Sequence, residues 1–244
     1  MRFTLEGVRP DEEQKAVLVA EQNPDGGWPP SPTGSVSSLD TTCYRLAIAE
    51  ASGIDLEHEA MLRAATFLNR RQEPDGSWEE DSGLSGCFPP WIRPGSIGTT
   101  LYLTANCGLW LELLRPRHPG AAKAGRYIGS HLSENGTLPT FLHGHWLAAS
   151  LCYQVGRAAE AQAICNFLKT KLDTRLWASN LSWLLNCLRL GNISPTHALV
   201  QLAIERLVAC QEKNGRWRSE DGAKFDVDTT LDVLTAVIWT LEER

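Results

Sequence analysis

The sequence has no apolar run near the roughly 18 residues that a membrane-spanning helix requires. Its opening stretch, MRFTLEGVRPDEEQ, lacks the apolar segment of a secretory leader. There is no basic block and no basic stripe interleaved with aromatics, and 23 basic against 29 acidic residues leave a formal charge of −6. That balance argues against a nucleic-acid partner. None of the seven cysteines (43, 87, 107, 152, 165, 187, 210) forms a CxxC pair, and most lie in apolar helical text such as LCYQ and VACQ. They read as structural thiols in a reducing compartment. A cytoplasmic location is therefore expected, or one at a membrane surface, with no integral membrane segment. Continuous strand alternation, a Gly-rich phosphate loop, a Ser-His-Asp context and an aspartate-rich metal motif are all missing as well.

What is present is organised. A chain of 244 residues with 43% apolar content can bury one large core, so a single domain over 1–244 is expected. Nine tryptophans and thirteen prolines are concentrated rather than scattered. Three segments read Q-x-x-x-G-x-W: Gln22 to Trp28, Gln72 to Trp78 and Gln211 to Trp217. Each follows an apolar pair about one helical turn earlier, namely Val17-Leu18, Phe67-Leu68 and Leu207-Val208. The intervening Pro or Asn, Asp and Gly residues stop a helix and turn the chain. Two worn copies follow the same template. Leu132 to Leu138 keeps Gly136, and the stretch from Leu172 keeps only the apolar pair Phe167-Leu168 before it.

After each turn comes a second, more apolar helical stretch, at about 38–52, 96–114, 142–155, 176–190 and 226–242. Helices apolar on most sides are buried ones. The stretches before the turns, such as 57–71 and 195–211, carry charge on one face and read as external. A repeat of roughly 40–60 residues built this way means stacked helical hairpins. If the hairpins curve into a ring, the inner helices run parallel and their N-termini share one mouth.

The Q-x-x-x-G-x-W segments resemble the QW repeat of terpenoid cyclases and prenyltransferase β-subunits, and the resemblance spans nearly the whole chain. It implies an all-α fold, a single α/α barrel (toroid) of about five outer/inner helix hairpins, where the family usually has six. It also implies that each glutamine ties helix ends together and that Trp28, Trp78 and Trp217 cover helix termini.

The segment Phe225-Asp226-Val227-Asp228-Thr229-Thr230 resembles the class II terpene cyclase acid motif in its DxDTT form. Such enzymes protonate an isoprene double bond or epoxide, and internal double bonds then attack the cation. By this resemblance Asp228 is the proton donor and Asp226 the first acid. A second reading stays open, because Asp and Thr are good helix N-caps and Asp40-Thr41-Thr42 begins the first inner helix in matching register. A helix N-terminus favours an ionised carboxylate, so a neutral acid there needs burial or a second carboxylate beside it. Asp226 could supply that charge. So could Asp40, if ring closure sets the fifth inner helix beside the first.

Further candidates lie near the expected mouth. His143 and His145 begin the third inner helix and could bind substrate, contact a diphosphate or cap. Carbocations need aromatic walls, and Tyr44, Tyr102, Trp146 and Trp183 on inner helices are candidates, although such an aromatic is more often core than cavity wall. The Gly- and Pro-rich loop 81–95 could be a lid with Phe88 and Trp91 as apolar contacts and Arg93 as an anion partner. No metal site is expected. Zinc in the similar prenyltransferase subunits uses D-x-C spacing, whereas Asp40 and Cys43 are spaced D-x-x-C. The acid step needs no cofactor, and a diphosphate substrate would bring Mg2+ with it.

These residues together imply a class II-type terpene cyclase acting on a linear polyprenyl chain, an isoprenoid small molecule. Because the mouth of a single barrel is open, a homodimer or a partner barrel could close it. A non-catalytic repeat subunit and a prenyltransferase-like enzyme are the alternatives, since fold does not fix function.

Overall fold

Residues that stop helices are periodic in this chain, and they separate ten α-helices among the described residues. In a computed structural model, described over residues 11–84, 89, 92–172 and 176–242, the order is α1 (Glu12–Val19), α2 (Leu39–Ala51), α3 (Glu59–Arg70), α4 (Ile97–Leu114), α5 (Pro119–Ser130), α6 (Leu142–Gln154), α7 (Ala158–Lys171), α8 (Ala178–Leu190), α9 (Ala198–Ala209) and α10 (Asp226–Glu242). No strand is present among the described residues; the nearest feature is an isolated bridge between Trp28 and Ser38.

The odd-numbered helices from α3 onward each bury one face. In α3 the buried residues Ala60, Met61, Ala64, Ala65, Phe67 and Leu68 recur at helical spacing and leave the charged face outside. The even-numbered α4 is buried along nearly its whole length, and α6 is buried from Gly144 to Cys152. Three odd helices share a start the sequence reading did not anticipate. His58, His118 and His197 each stand at the N-cap, and each Nδ1 accepts the N–H two residues on. The caps satisfy donors that a helix start leaves open.

Turns between the helices repeat their chemistry. Gln22 Nε2 donates to Gly26 O and to Ala60 O at the start of α3. Gln72 does the same for Gly76 O and Gly120 O at the start of α5. Each glutamine thus joins its own turn to the next outer helix. The indole N–H groups of Trp28, Trp78 and Trp217 donate to Ala20 O, Leu68 O and Leu207 O, closing the end of the preceding outer helix. Gly76 sits at φ 98°, and a Cβ there would lie 2.9 Å from the backbone of Lys123 in α5. Only glycine lets the turn approach so closely.

Even-numbered helices pack in sequence, α2 on α4, α4 on α6, α6 on α8 and α8 on α10. They run parallel. At one end Thr140, before α6, donates to Gly98 O in the first turn of α4, and Asn180 in α8 meets Glu220, ahead of α10. At the other end Gln154 in α6 donates to Leu190 O in α8. Arg189, near the end of α8, makes a two-pronged ion pair with Glu50, near the end of α2. The expected setting of the fifth inner helix beside the first is not among the main packing contacts of the described residues. Among the described residues α10 packs on α8, and the bond back to α2 comes from α8.

Candidate active site at the N-terminal mouth

One hydrogen bond sets the register of every inner helix that can be compared. The backbone N–H of Trp28 is accepted by Thr42 Oγ1, that of Trp78 by Thr104 Oγ1 and that of Trp217 by Thr230 Oγ1. In the worn third copy Leu138 replaces the tryptophan, and its N–H is accepted by His145 Nε2. The threonines of α2 and α10 bond back to the carbonyls of Ser38 and Asp226, four residues earlier, and His145 Nδ1 does the same to Phe141 O. His145 is thus a structural substitute for threonine, buried and committed at both ring nitrogens, rather than a substrate contact.

Counting two residues back from each tie gives equivalent places on α2, α4, α6 and α10: Asp40, Tyr102, His143 and Asp228. At the first two the side chains meet. Tyr102 Oη donates to Asp40 Oδ1 at 2.7 Å. Tyr102 is 6% exposed and its phenol is held well above the usual value, by burial first and then by the charge of Asp40. Asp40 is itself raised above the usual carboxylate value. Burial is the main cause, the negative charge of Glu80 adds to it, and the Tyr102 hydrogen bond opposes both. Below lie the thiols of Cys43 and Cys107, with their sulfurs 3.8 Å apart. Burial drives the Cys43 thiol well upward, so it stays neutral. The six described cysteines are free.

Beyond Tyr102 an aromatic series follows the mouth. Phe141 lies 4.8 Å from the Tyr102 ring, and His143 lies 6.2 Å from Phe141. His143 stacks on Trp183 at 4.4 Å and meets Trp146 edge-on at 4.5 Å. Burial lowers the His143 value, which favours the neutral ring. Trp146 is buried core, whereas Trp183 keeps an exposed face, and Tyr44, one turn into α2, is 64% exposed. Ile97, Trp177, Phe225 and Val227 add exposed apolar surface at the starts of α4, α8 and α10.

The DxDTT segment is arranged differently. Asp226 Oδ1 accepts the N–H of Ser219, so this carboxylate has a structural task that capping arguments from sequence did not assign to it. Asp228 is exposed. Among the described residues no hydrogen bond or ion pair joins it to Asp40. Its electrostatic neighbour is Asp232, four residues on and on the same helix face, whose value is raised from 3.8 to about 6 by burial and by the Asp228 charge. The i, i+4 spacing was the available signal for Asp232. Glu80 had no such signal, because it acts on α2 from forty residues away.

Of the expected lid, Trp91 and Phe88 lie outside the described residues, and Arg93 is exposed. The loop is pinned on its two sides by an Arg71–Asp81 contact at 3.9 Å and by Gly95 N–H donating to Glu79. A cavity of about 100 Å3 lies elsewhere, between Tyr153, Ala158, Ala161, Gln162, Cys165, Ile193 and His197. It is smaller than ordinary ligand pockets of some hundreds of Å3. Among the described residues no three His, Cys, Asp or Glu side chains converge as a metal site, and no helix is long and apolar enough to cross a membrane.

Similar folds are found among solved structures. The type II terpene cyclase MstE from Scytonema, as an aspartate-to-alanine variant with its product merosterolic acid A, superposes with a TM-score of 0.60 at 17% identity, covering 99% of this chain and 85% of that one. Unliganded MstE gives 0.59 at 16% identity, covering 95% and 82%. An arginine-to-alanine variant of MstE with its substrate geranylgeranyl dihydroxybenzoate gives 0.60 at 16%, covering 100% and 85%. The chain therefore has the fold of a class II terpene cyclase. No protein-family model matches it, and no curated protein matches it in sequence.

Proposed function

We propose that the protein is a protonation-initiated, class II-type terpene cyclase, formally an isomerase or lyase, and that Asp40 is its acid. The observation that carries this is the Asp40–Tyr102 pair: a carboxyl kept toward its neutral form at the inner-helix mouth, gripped by a buried phenol. A general acid must hold its proton near the working pH. Asp228, which the motif resemblance favours, is exposed, whereas Asp40 is shielded and backed by a second carboxylate.

In the step itself the proton on the free oxygen of Asp40 moves to one carbon of a terminal double bond. A C–H bond forms from the π pair, and the other carbon becomes the cation. The Tyr102 hydrogen bond then steadies the new carboxylate. Internal double bonds attack in turn, and each attack closes a ring. Loss of a proton from the last cation restores neutrality, and solvent reloads Asp40. Phe141 and Trp183 offer π faces to the cation, an attraction worth about 0.5–2 kcal/mol per contact, with Trp146 packed behind them as core. The structural neighbours support the reading, since MstE was solved with a geranylgeranyl substrate, with a cyclase product, and in forms with one aspartate or one tyrosine replaced.

The reading needs no cofactor for proton transfer; a diphosphate head group would carry Mg2+. A second copy of the chain or a partner barrel would shield the exposed rim from water. Linear prenyl alcohols, benzoates and diphosphates of increasing length, incubated with the protein and followed by mass spectrometry, test the proposal. A product of unchanged mass and shorter retention supports it if Asp40→Asn makes none. Absence of cyclised product from every chain, with the folded wild type and all three head-group classes, overturns it.

A further inference from the structure

The buried end of α2 holds a group that the acid step as written does not use. Glu80 lies two residues beyond Trp78, in the segment leading from the second turn toward α4, and is 4% exposed. Its Oε1 accepts the hydroxyl of Ser38 at 2.6 Å and the N–H of Asp40 at 2.9 Å, while Oε2 accepts the N–H of Leu39 at 3.0 Å. One carboxylate therefore covers the N-terminus of α2, where Asp40 stands in the first turn.

A different tie stands at α8. The carboxylate of Glu220, three residues beyond Trp217, accepts from the side-chain amide of Asn180, and the Glu220 N–H donates to Ser179 Oγ, so no backbone N–H of α8 is capped by it. Glu80 differs in being fully buried and in ending against the backbone of an acid. The free N–H groups of a helix start act as a partial positive charge that favours an ionised carboxylate. At α2 those N–H groups are occupied by Glu80, and its negative charge faces Asp40. Both effects act in the same direction, against loss of the Asp40 proton.

We propose that Glu80 is a positioning residue for proton donation: by capping α2 with a buried negative charge it holds Asp40 in its neutral form and aims it at the mouth. The proposal rests on Asp40 being the acid. Among the described residues, the titratable groups set against Asp40 are Tyr102 from α4, Glu80 from the segment before α4, and on its own helix Cys43, with Cys107 of α4 behind it. Tyr102 pulls in the opposite direction, because its hydrogen bond favours the carboxylate.

The test is an infrared titration of the substrate-free protein. Asp40 is identified as the carboxyl C=O band lost in Asp40→Asn. In Glu80→Gln the midpoint of that band falls by about one pH unit, and in Tyr102→Phe it rises. An unchanged or raised midpoint in folded Glu80→Gln overturns the proposal, because a purely structural cap would lower the melting temperature without moving the band downward. Should Glu80→Gln fail to fold, Glu80→Asp sets the same charge one methylene further back. A midpoint below wild type then supports the proposal, and one at or above it overturns it. The readout needs no turnover, so it stands apart from the cyclase reading. Activity retained in Asp40→Asn defeats that reading, whereas an immobile band defeats only the role of Glu80.

Discussion

The chain writes Asp-Thr-Thr at the start of α2 and again at the start of α10, and in both the second threonine receives the N–H of a tryptophan. The two aspartates are therefore equivalent in register, yet their surroundings are opposite. Asp40 has a following inner helix, which supplies Tyr102, and a following turn, which supplies Glu80. Asp228, in the first turn of α10, is exposed. The same pattern of turn residues shows the same contrast. Gln72 reaches the next outer helix, while Gln211 bonds only its own Gly215 O among the described residues, and a Cβ on Gly215 would meet nothing within 4 Å. A motif at a helix start fixes where a carboxylate stands. Whether it can keep a proton depends on what the next repeat brings against it.

The largest expected effect tests that contrast directly. Asp40→Asn should lower cyclisation by about a hundredfold or more, the usual contribution of a general acid, while Asp228→Asn should cost less than about tenfold. Rates of product formation decide it, and the reverse order would move the acid to α10. In stability the contrast recurs at the tryptophans. Trp78→Ala should cost about 3–5 kcal/mol, and Trp217→Ala less, because Trp78 is fully buried whereas Trp217 sits in a turn whose Gln211 and Gly215 are exposed; denaturant melts compare them. A smaller difference is expected for the glutamines. Gln72→Ala loses two bonds, about 1–3 kcal/mol, and Gln211→Ala loses one exposed bond, below about 1 kcal/mol. Equal losses would mean that the last turn is as well supported as the second.

The subtlest effect is in pH. Asp232 has a usual value of 3.8 and a folded value of about 6, so the folded state binds its proton more tightly. Its contribution to stability is therefore present in full below its usual value and is lost as pH rises through about 6. Asp232→Asn should flatten that part of the stability–pH curve, as read by melting at a series of pH values. A curve of unchanged slope would show that the α10 carboxylates do not sense one another.

Most of the helical frame was legible beforehand because it is built from local signals. The stretch expected at 96–114 is α4 at Ile97–Leu114, and that expected at 226–242 is α10 at Asp226–Glu242. Turn glycines and tryptophans mark these ends within a few residues of themselves. Tyr102 and Asp40 were both legible as mouth residues, but not as partners, because nothing in a sequence sets two helix starts face to face across sixty-two positions. Which inner helix meets α2 was not legible for a related reason. Hairpin periodicity counts the units but does not say which inner helix returns to α2, and the ion pair of Arg189 with Glu50 decides it. His145 misled because histidine at a mouth suggests chemistry, whereas its two nitrogens replace a threonine.

The tryptophan-to-threonine tie has a use outside this mechanism. It works as an address system: find the turn, follow its tryptophan N–H to the accepting side chain, step back two residues, and the position at the rim is known. Asp40, Tyr102, His143 and Asp228 are four such addresses. Each can be rewritten on its own helix without disturbing the bond that locates it, so the chemistry of the rim can be edited one coordinate at a time.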